Sequence, residues 1–301
     1  MGDERRAAEE AVRRCYSTWS TTYHDEYYGE KAAHPPVHRD LLLRLLAESG
    51  ARDVLDAGCG PASFLRHLEG TGIRPYGFDL TPEMVVEARR VLGDDGAVWE
   101  GSALDPGAFH PPGDPGRRFD AAICAGVLPH IPEGTDSEVL ASLAGAVRPG
   151  GLVAATARNE LFGLFTLNRY SRDLFRELID VEGLRAEALP AEREGLESGL
   201  AAMEDRFRTD LPPLRTGEHG APGYDEVLSR AHNPLALRDA AEAAGLLHVR
   251  LLFLHFHRLP PLAAGAVPDL QRRASLAMDA DPSDPRGLVM ASSVTVTGIV
   301  P

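Results

Sequence analysis

The stretch Val54-Leu55-Asp56-Ala57-Gly58-Cys59-Gly60-Pro61 constrains this chain more than any other. Apolar residues run straight into two glycines one residue apart, so a buried strand ends in a turn with bare backbone. Such a turn belongs at the carboxyl edge of a parallel sheet, where α/β proteins bind their ligands. The pattern continues downstream: residues 52–56, 75–79, 97–100, 119–124 and 152–156 read as strands. Residues 61–68 read as a helix, and Thr81-Pro82-Glu83 starts another, with a capping threonine and a proline at the first helical position. Strands separated by helices imply a parallel sheet built from right-handed crossovers.

The flanks are less regular. Residues 5–18 form a first predicted helix, followed by a tyrosine-rich stretch. Pro35-Pro36 opens a second helix that carries Leu41, Leu42, Leu45 and Leu46 on one face and stops at Gly50. Residues 158–232 hold helix-like segments and a proline- and glycine-rich stretch, 211–224, without a strand pattern. A helix from Asn233-Pro234 to Gly245, a β run over 246–256, a loop-rich excursion over 260–287 and a β-branched last strand, 288–300, complete the chain. The expected organisation is an N-terminal helical cap (1–50), a ligand-binding core (51–157), an inserted lid (158–232) and a C-terminal completion of the sheet (233–301).

Acidic side chains outnumber basic ones, 45 to 31, for a formal net charge of −14. That surface repels phosphate backbones and argues against nucleic-acid partners. No apolar run approaches the roughly 20 residues that span a bilayer, so no membrane partner is expected. The charged start, 1–14, lacks the apolar core of a signal peptide, and three cysteines without CxxC spacing make disulfides and structural zinc improbable. The cytoplasm is the expected address, and monomer and homodimer remain equally open.

The residues around the glycine turn choose among ligands. A dinucleotide site prefers a third glycine three positions after Gly60, but Ser63 stands there. Asp56, immediately before the turn, suits a cationic amino-acid moiety better than a pyrophosphate. In this order and spacing, the segments from residue 50 to 157 resemble the motifs of class I S-adenosylmethionine-dependent methyltransferases. The resemblance implies a Rossmann-like seven-stranded, mostly parallel α/β sheet whose last strand is antiparallel, and a cofactor site between Val54 and His130. It assigns Asp56, Ala57, Gly58 and Gly60 to the first motif. Asp79 takes the ribose hydroxyls, which a carboxylate can accept in pairs, with Leu80 and Met84 beside it. Ser102 and Ala103 stand at the adenine, where the family commonly has an acid instead of Ser102, and Ala125 belongs to the fourth-strand motif.

In this fold a segment before the first strand often covers the cofactor. Tyr23 is placed there, since a tyrosine face attracts a sulfonium, and Tyr27 is assigned to the acceptor. His130, in the loop after the fourth strand, is the candidate general base, as that loop faces the methyl group in relatives. Arg158, Arg169 and Tyr170 in the insertion, and His232, His255 and His257 beyond it, are candidate acceptor-pocket residues. The spacing of His255 and His257 puts both on one strand face, with no acid nearby to complete a metal site. The expected reaction is in-line methyl transfer to O, N or C of a small molecule, in bacterial specialised metabolism. A peptide or protein acceptor, a nicotinamide-dependent oxidoreductase and a catalytically silent cofactor-binding protein are the rival readings.

Overall fold

A computed structural model describes residues 2–28, 36–93, 97–208 and 227–301. The predicted opener Pro35 and the stretch 211–224 lie outside the described residues. Seven strands form one sheet: β1 (Asp53–Ala57), β2 (Arg74–Asp79), β3 (Ala97–Glu100), β4 (Phe119–Ala125), β5 (Val147–Arg158), β6 (Leu247–Phe256) and β7 (Ala291–Ile299). Their order is β3-β2-β1-β4-β5-β7-β6. The first five are parallel, while β7 runs antiparallel to both β5 and β6. The chain therefore reverses direction of travel between β1 and β4, which opens a crevice above their carboxyl ends.

Burial explains why these strands read so clearly. All five residues of β1 are buried, since a central parallel strand has both faces covered. Helix α3 (Val37–Ser49) packs Leu41, Leu42, Leu45 and Leu46 into the same cluster as Val54, Ala121 and Ile123. On the other face, α5 (Asp136–Ala146) and α10 (Pro234–Ala243) bury Val139, Leu140, Leu143 and Leu237 with Leu55, Ala122 and Val153. Gly50 ends α3 in the left-handed region at φ +66°.

Helix α4 (Pro82–Leu92) begins where expected, but the Thr81 hydroxyl makes no capping bond. Asp79 takes over: its Oδ1 accepts the Thr81 N–H at 2.9 Å. Residues 61–68 do not form the expected helix. Ala62 adopts φ +57°, which interrupts an α-helix, and only Leu65–Leu68 close into a 3₁₀ turn. The excursion after β6 is also more ordered than expected, since Pro268–Asp279 form a helix with proline in its first turn.

Helix α1 (Gly2–Ser17) leads into α2 (Tyr23–Tyr27). Cys15 and Trp19 pack with Met84 of α4 and with Val227, so α1 lies against the carboxyl edge of the sheet. Among the described residues, four α-helices lie between β5 and α10: α6 (Gly163–Thr166), α7 (Arg169–Leu178), α8 (Val181–Glu187) and α9 (Arg193–Glu204). Among the described residues, no helix is long and apolar enough to cross a membrane.

Candidate functional site

The crevice above β1 and β4 holds a cavity that is partly open to solvent. Gly58 and Gly60 form its floor. Gly58 sits at φ +80°, and a Cβ there would lie 2.2 Å from Val127 Cγ2. The turn is tied down because Gly58 and Cys59 both donate N–H bonds to the Phe78 carbonyl, at 2.8 and 3.0 Å. Gly58→Ala is therefore expected to push Val127 away or distort the turn, weakening S-adenosylhomocysteine binding at least about tenfold by calorimetry.

Asp79 anchors the opposite side. Its Oδ2 accepts the Gly60 N–H at 2.8 Å while Oδ1 holds Thr81, so one carboxylate joins the glycine turn to the start of α4. Each oxygen keeps a lone pair for a further donor such as a vicinal diol. Burial pushes its pKa up, against the pull of these N–H donors.

Asp56 is 3% exposed and does not line the cavity. Its Oδ1 is buried and finds no hydrogen-bond partner among the described residues. Burial, with the nearby Asp79 charge, pushes its pKa up to about 7. A buried carboxyl left in this condition is ready for a cation. Tyr23 does line the cavity and stacks on Tyr27, with ring centroids 4.6 Å apart.

His130 lines the cavity on the β4 side. It follows β4 in a short 3₁₀ turn, Leu128–His130. Its Nδ1 lies 2.7 Å from the Leu228 carbonyl, which can only accept, so Nδ1 carries the proton. Nε2 is then an acceptor, and the Tyr16 hydroxyl donates to it over 2.9 Å. Burial, with Arg158 nearby, pushes the imidazole pKa down to about 4 despite the Leu228 bond. The ring is neutral at physiological pH, with its basic nitrogen facing the cavity.

The segment 228–232 is what fixes this ring. The Arg230 backbone N–H donates to the Pro129 carbonyl at 2.8 Å and its guanidinium to the Ile131 carbonyl at 2.8 Å. Arg230 and His232 both reach Asp136 Oδ1, at 2.8 and 3.0 Å. Against its burial, these two partners hold the Asp136 carboxyl below its ordinary value.

Ten predicted residues line the cavity: Tyr23, Gly58, Gly60, Asp79, Leu80, Met84, Ser102, Ala103, Ala125 and His130. Ala57, at the end of β1, is fully buried and lies behind the wall with Asp56. The assigned acceptor residues are not brought to the cavity. Tyr27 packs behind Tyr23, and Arg158 bonds Ser229. Arg169 lies over the 44% exposed Tyr170 ring, 5.1 Å from its centroid. His232 is buried against Asp136. His255 and His257 do not form a pair. His255 turns to φ +56° and breaks the strand alternation, so it meets His38 while His257 packs on Phe162.

Helix α1 supplies wall residues that the sequence reading missed: Glu9, Val12 and Tyr16. Their i, i+3, i+7 spacing marks one helical face, the signal that was there to be read.

Residues 55–153 match the family model described as a methyltransferase domain. The matched segment holds the glycine turn, Asp79 and most of the parallel strands, so this part of the chain is similar to a methyltransferase domain. Among curated relatives, the ubiquinone biosynthesis O-methyltransferase of Xylella fastidiosa (strain M23) is 26% identical over 156 residues, covering 50% of this chain and 61% of the relative. The chain thus matches less than two thirds of that relative's length. Among solved structures, the methyltransferase complexed with the Trm112 methyltransferase activator of Haloferax volcanii has a TM-score of 0.53 at 17% identity, over 95% of this chain and 97% of that one. Magnesium protoporphyrin IX methyltransferase of Synechocystis PCC 6803, with bound SAH, has a TM-score of 0.51 at 16% identity, over 98% and 100%. These structures share the fold. S-adenosylmethionine is the cofactor of this enzyme class, and the unpartnered Asp56 oxygen, the spare lone pairs of Asp79 and the side-chain-free approach at Gly58 fit it.

Proposed function

We propose that this chain transfers a methyl group from S-adenosylmethionine to a hydroxyl oxygen of a small molecule, with His130 as proton acceptor. The observation that carries the reading is the neutral, oriented imidazole of His130 at the cavity end opposite Ser102. A hydroxyl holds its proton at neutral pH, so a positioned base lowers the barrier to its attack. The relatives that are O-methyltransferases support the same acceptor atom.

Asp56, behind the cavity wall but near enough to act on the lining Tyr23, would supply the buried negative charge that balances the cofactor's ammonium. Asp79 would take its ribose hydroxyls, and the turn at Gly58 and Gly60 would give the closest backbone approach. When bound, S-adenosylmethionine supplies an electrophilic methyl carbon on a sulfonium centre. Tyr23 offers its ring face to that positive charge. The acceptor hydroxyl takes the place of the Tyr16 hydroxyl at His130 Nε2, which receives the proton as the oxygen attacks. Leu228 stabilises the resulting imidazolium through Nδ1–H. Helix α1 excludes water from one side, and Leu228, whose carbonyl holds His130, is the proposed start of the acceptor-selecting wall.

The test is transfer of isotope-labelled methyl from S-adenosylmethionine to panels of phenols and catechols, carboxylic acids and amines. Label on a hydroxyl oxygen is the expected result. Transfer confined to amines, or to none of the panels, would overturn it.

A further inference from the structure

We propose that Glu9, a residue of helix α1, selects the adenine base of the cofactor by accepting a hydrogen bond from its exocyclic amino group. The inference rests on the cofactor reading above and goes beyond it, because it gives α1 a role in recognition as well as in covering the cavity.

The polar groups at the β3 end of the cavity are few. The Ser102 hydroxyl donates its proton to Glu9 Oε1 and accepts the Leu104 N–H at 3.0 Å. Having given up its one proton, it has no donor left, and one of its two lone pairs is already used. The surrounding wall, Ala8, Val12, Leu80, Ala103 and Leu104, is apolar. An aromatic base fits between such walls. Glu9 accepts one bond through Oε1, and an ionised carboxylate has further acceptor capacity. The charge makes it the strongest acceptor at that end.

The helix that carries it is fixed across the strand ends. One turn further on, Arg13 Nε donates to the Leu80 carbonyl at 3.1 Å, and its guanidinium lies 3.7 Å from Glu100 at the end of β3. Glu9 is thus held over the loop after β3 from two sides, by Ser102 beneath it and by Arg13 on its own helix. The acid that the family commonly carries at the Ser102 position is replaced here by one from a different element.

Calorimetry on the full chain with S-adenosylhomocysteine and S-inosylhomocysteine tests this. The two ligands differ at the position that carries an amino donor in adenine and an oxo acceptor in hypoxanthine. The wild-type chain should prefer the adenine ligand by about tenfold or more, the scale of a hydrogen bond to a charged group. In Glu9→Gln the ratio should collapse towards one, because an amide can donate to the oxo group. Glu9→Ala should also lose the preference. If both ligands weaken equally in Glu9→Gln, Glu9 only tethers α1, and the proposal is overturned. It is likewise overturned if the wild type binds both ligands equally. If the wild type binds neither, the cofactor reading itself fails, and this inference with it.

Discussion

Asp56→Asn is expected to give a chain that is more stable without ligand at pH 8 and that no longer holds S-adenosylhomocysteine well. In the unfolded chain this carboxyl ionises near its ordinary value of 3.8, and in the folded chain near 7. Between those values the folded state keeps a proton that the unfolded state has lost. Stability therefore falls as the pH rises from about 4 to about 7 and stays low above. The residue is wholly buried, so the cost is on the order of a few kcal/mol. Asparagine cannot ionise and should escape it, raising the melting temperature of the ligand-free protein at pH 8 more than at pH 4.

The same substitution removes the partner of a ligand ammonium, and affinity should drop by about a hundredfold. In the wild type, binding below pH 7 requires Asp56 to lose its proton. Calorimetry in buffers of different ionisation enthalpy should therefore register proton release at pH 6, and the variant should show none. A variant that gains stability but binds as before would make Asp56 a purely structural residue.

The central sheet was legible because its signals are local. Val54 and Leu55 are apolar since both faces of β1 are covered, and two glycines mark the place where the backbone must stay bare. Asp79 was legible for the same reason, standing at the end of a recognisable strand. What the sequence hid depends on contacts between distant positions. Glu9 meets Ser102 93 residues away, and Tyr16 meets His130 114 residues away. Nothing in the local pattern of α1 says which strand ends it will cover. Backbone conformation hid the rest. Ala62 at φ +57° and His255 at φ +56° are non-glycine residues in a left-handed region, where spacing rules for helix and strand lose their meaning. His232 was singled out as chemistry but is held by Asp136, so its part is to brace the segment that orients His130.

Replacing His130 with Gln or Ala should cut turnover with a hydroxyl acceptor by about a hundredfold to ten-thousandfold, while calorimetry finds S-adenosylhomocysteine binding nearly unchanged. The loss should sit in kcat, since the base acts on the proton of the attacking group. The pH profile adds a sharper test. An ordinary histidine would lose activity as the pH falls through about 6.5, but burial places the His130 pKa at about 4. With cofactor saturating, so that Asp56 stays paired, the wild-type profile should stay flat down to about pH 5 on its acidic side. Tyr16→Phe should cost less than His130→Ala, because it leaves Nε2 basic and Nδ1 still bonded to Leu228. A carboxylic acid acceptor behaves differently: it has already lost its proton at neutral pH and needs no base. An acceptor methylated equally well by the wild type and His130→Ala would therefore move the reaction from hydroxyl to carboxylate chemistry and leave His130 as a wall of the pocket.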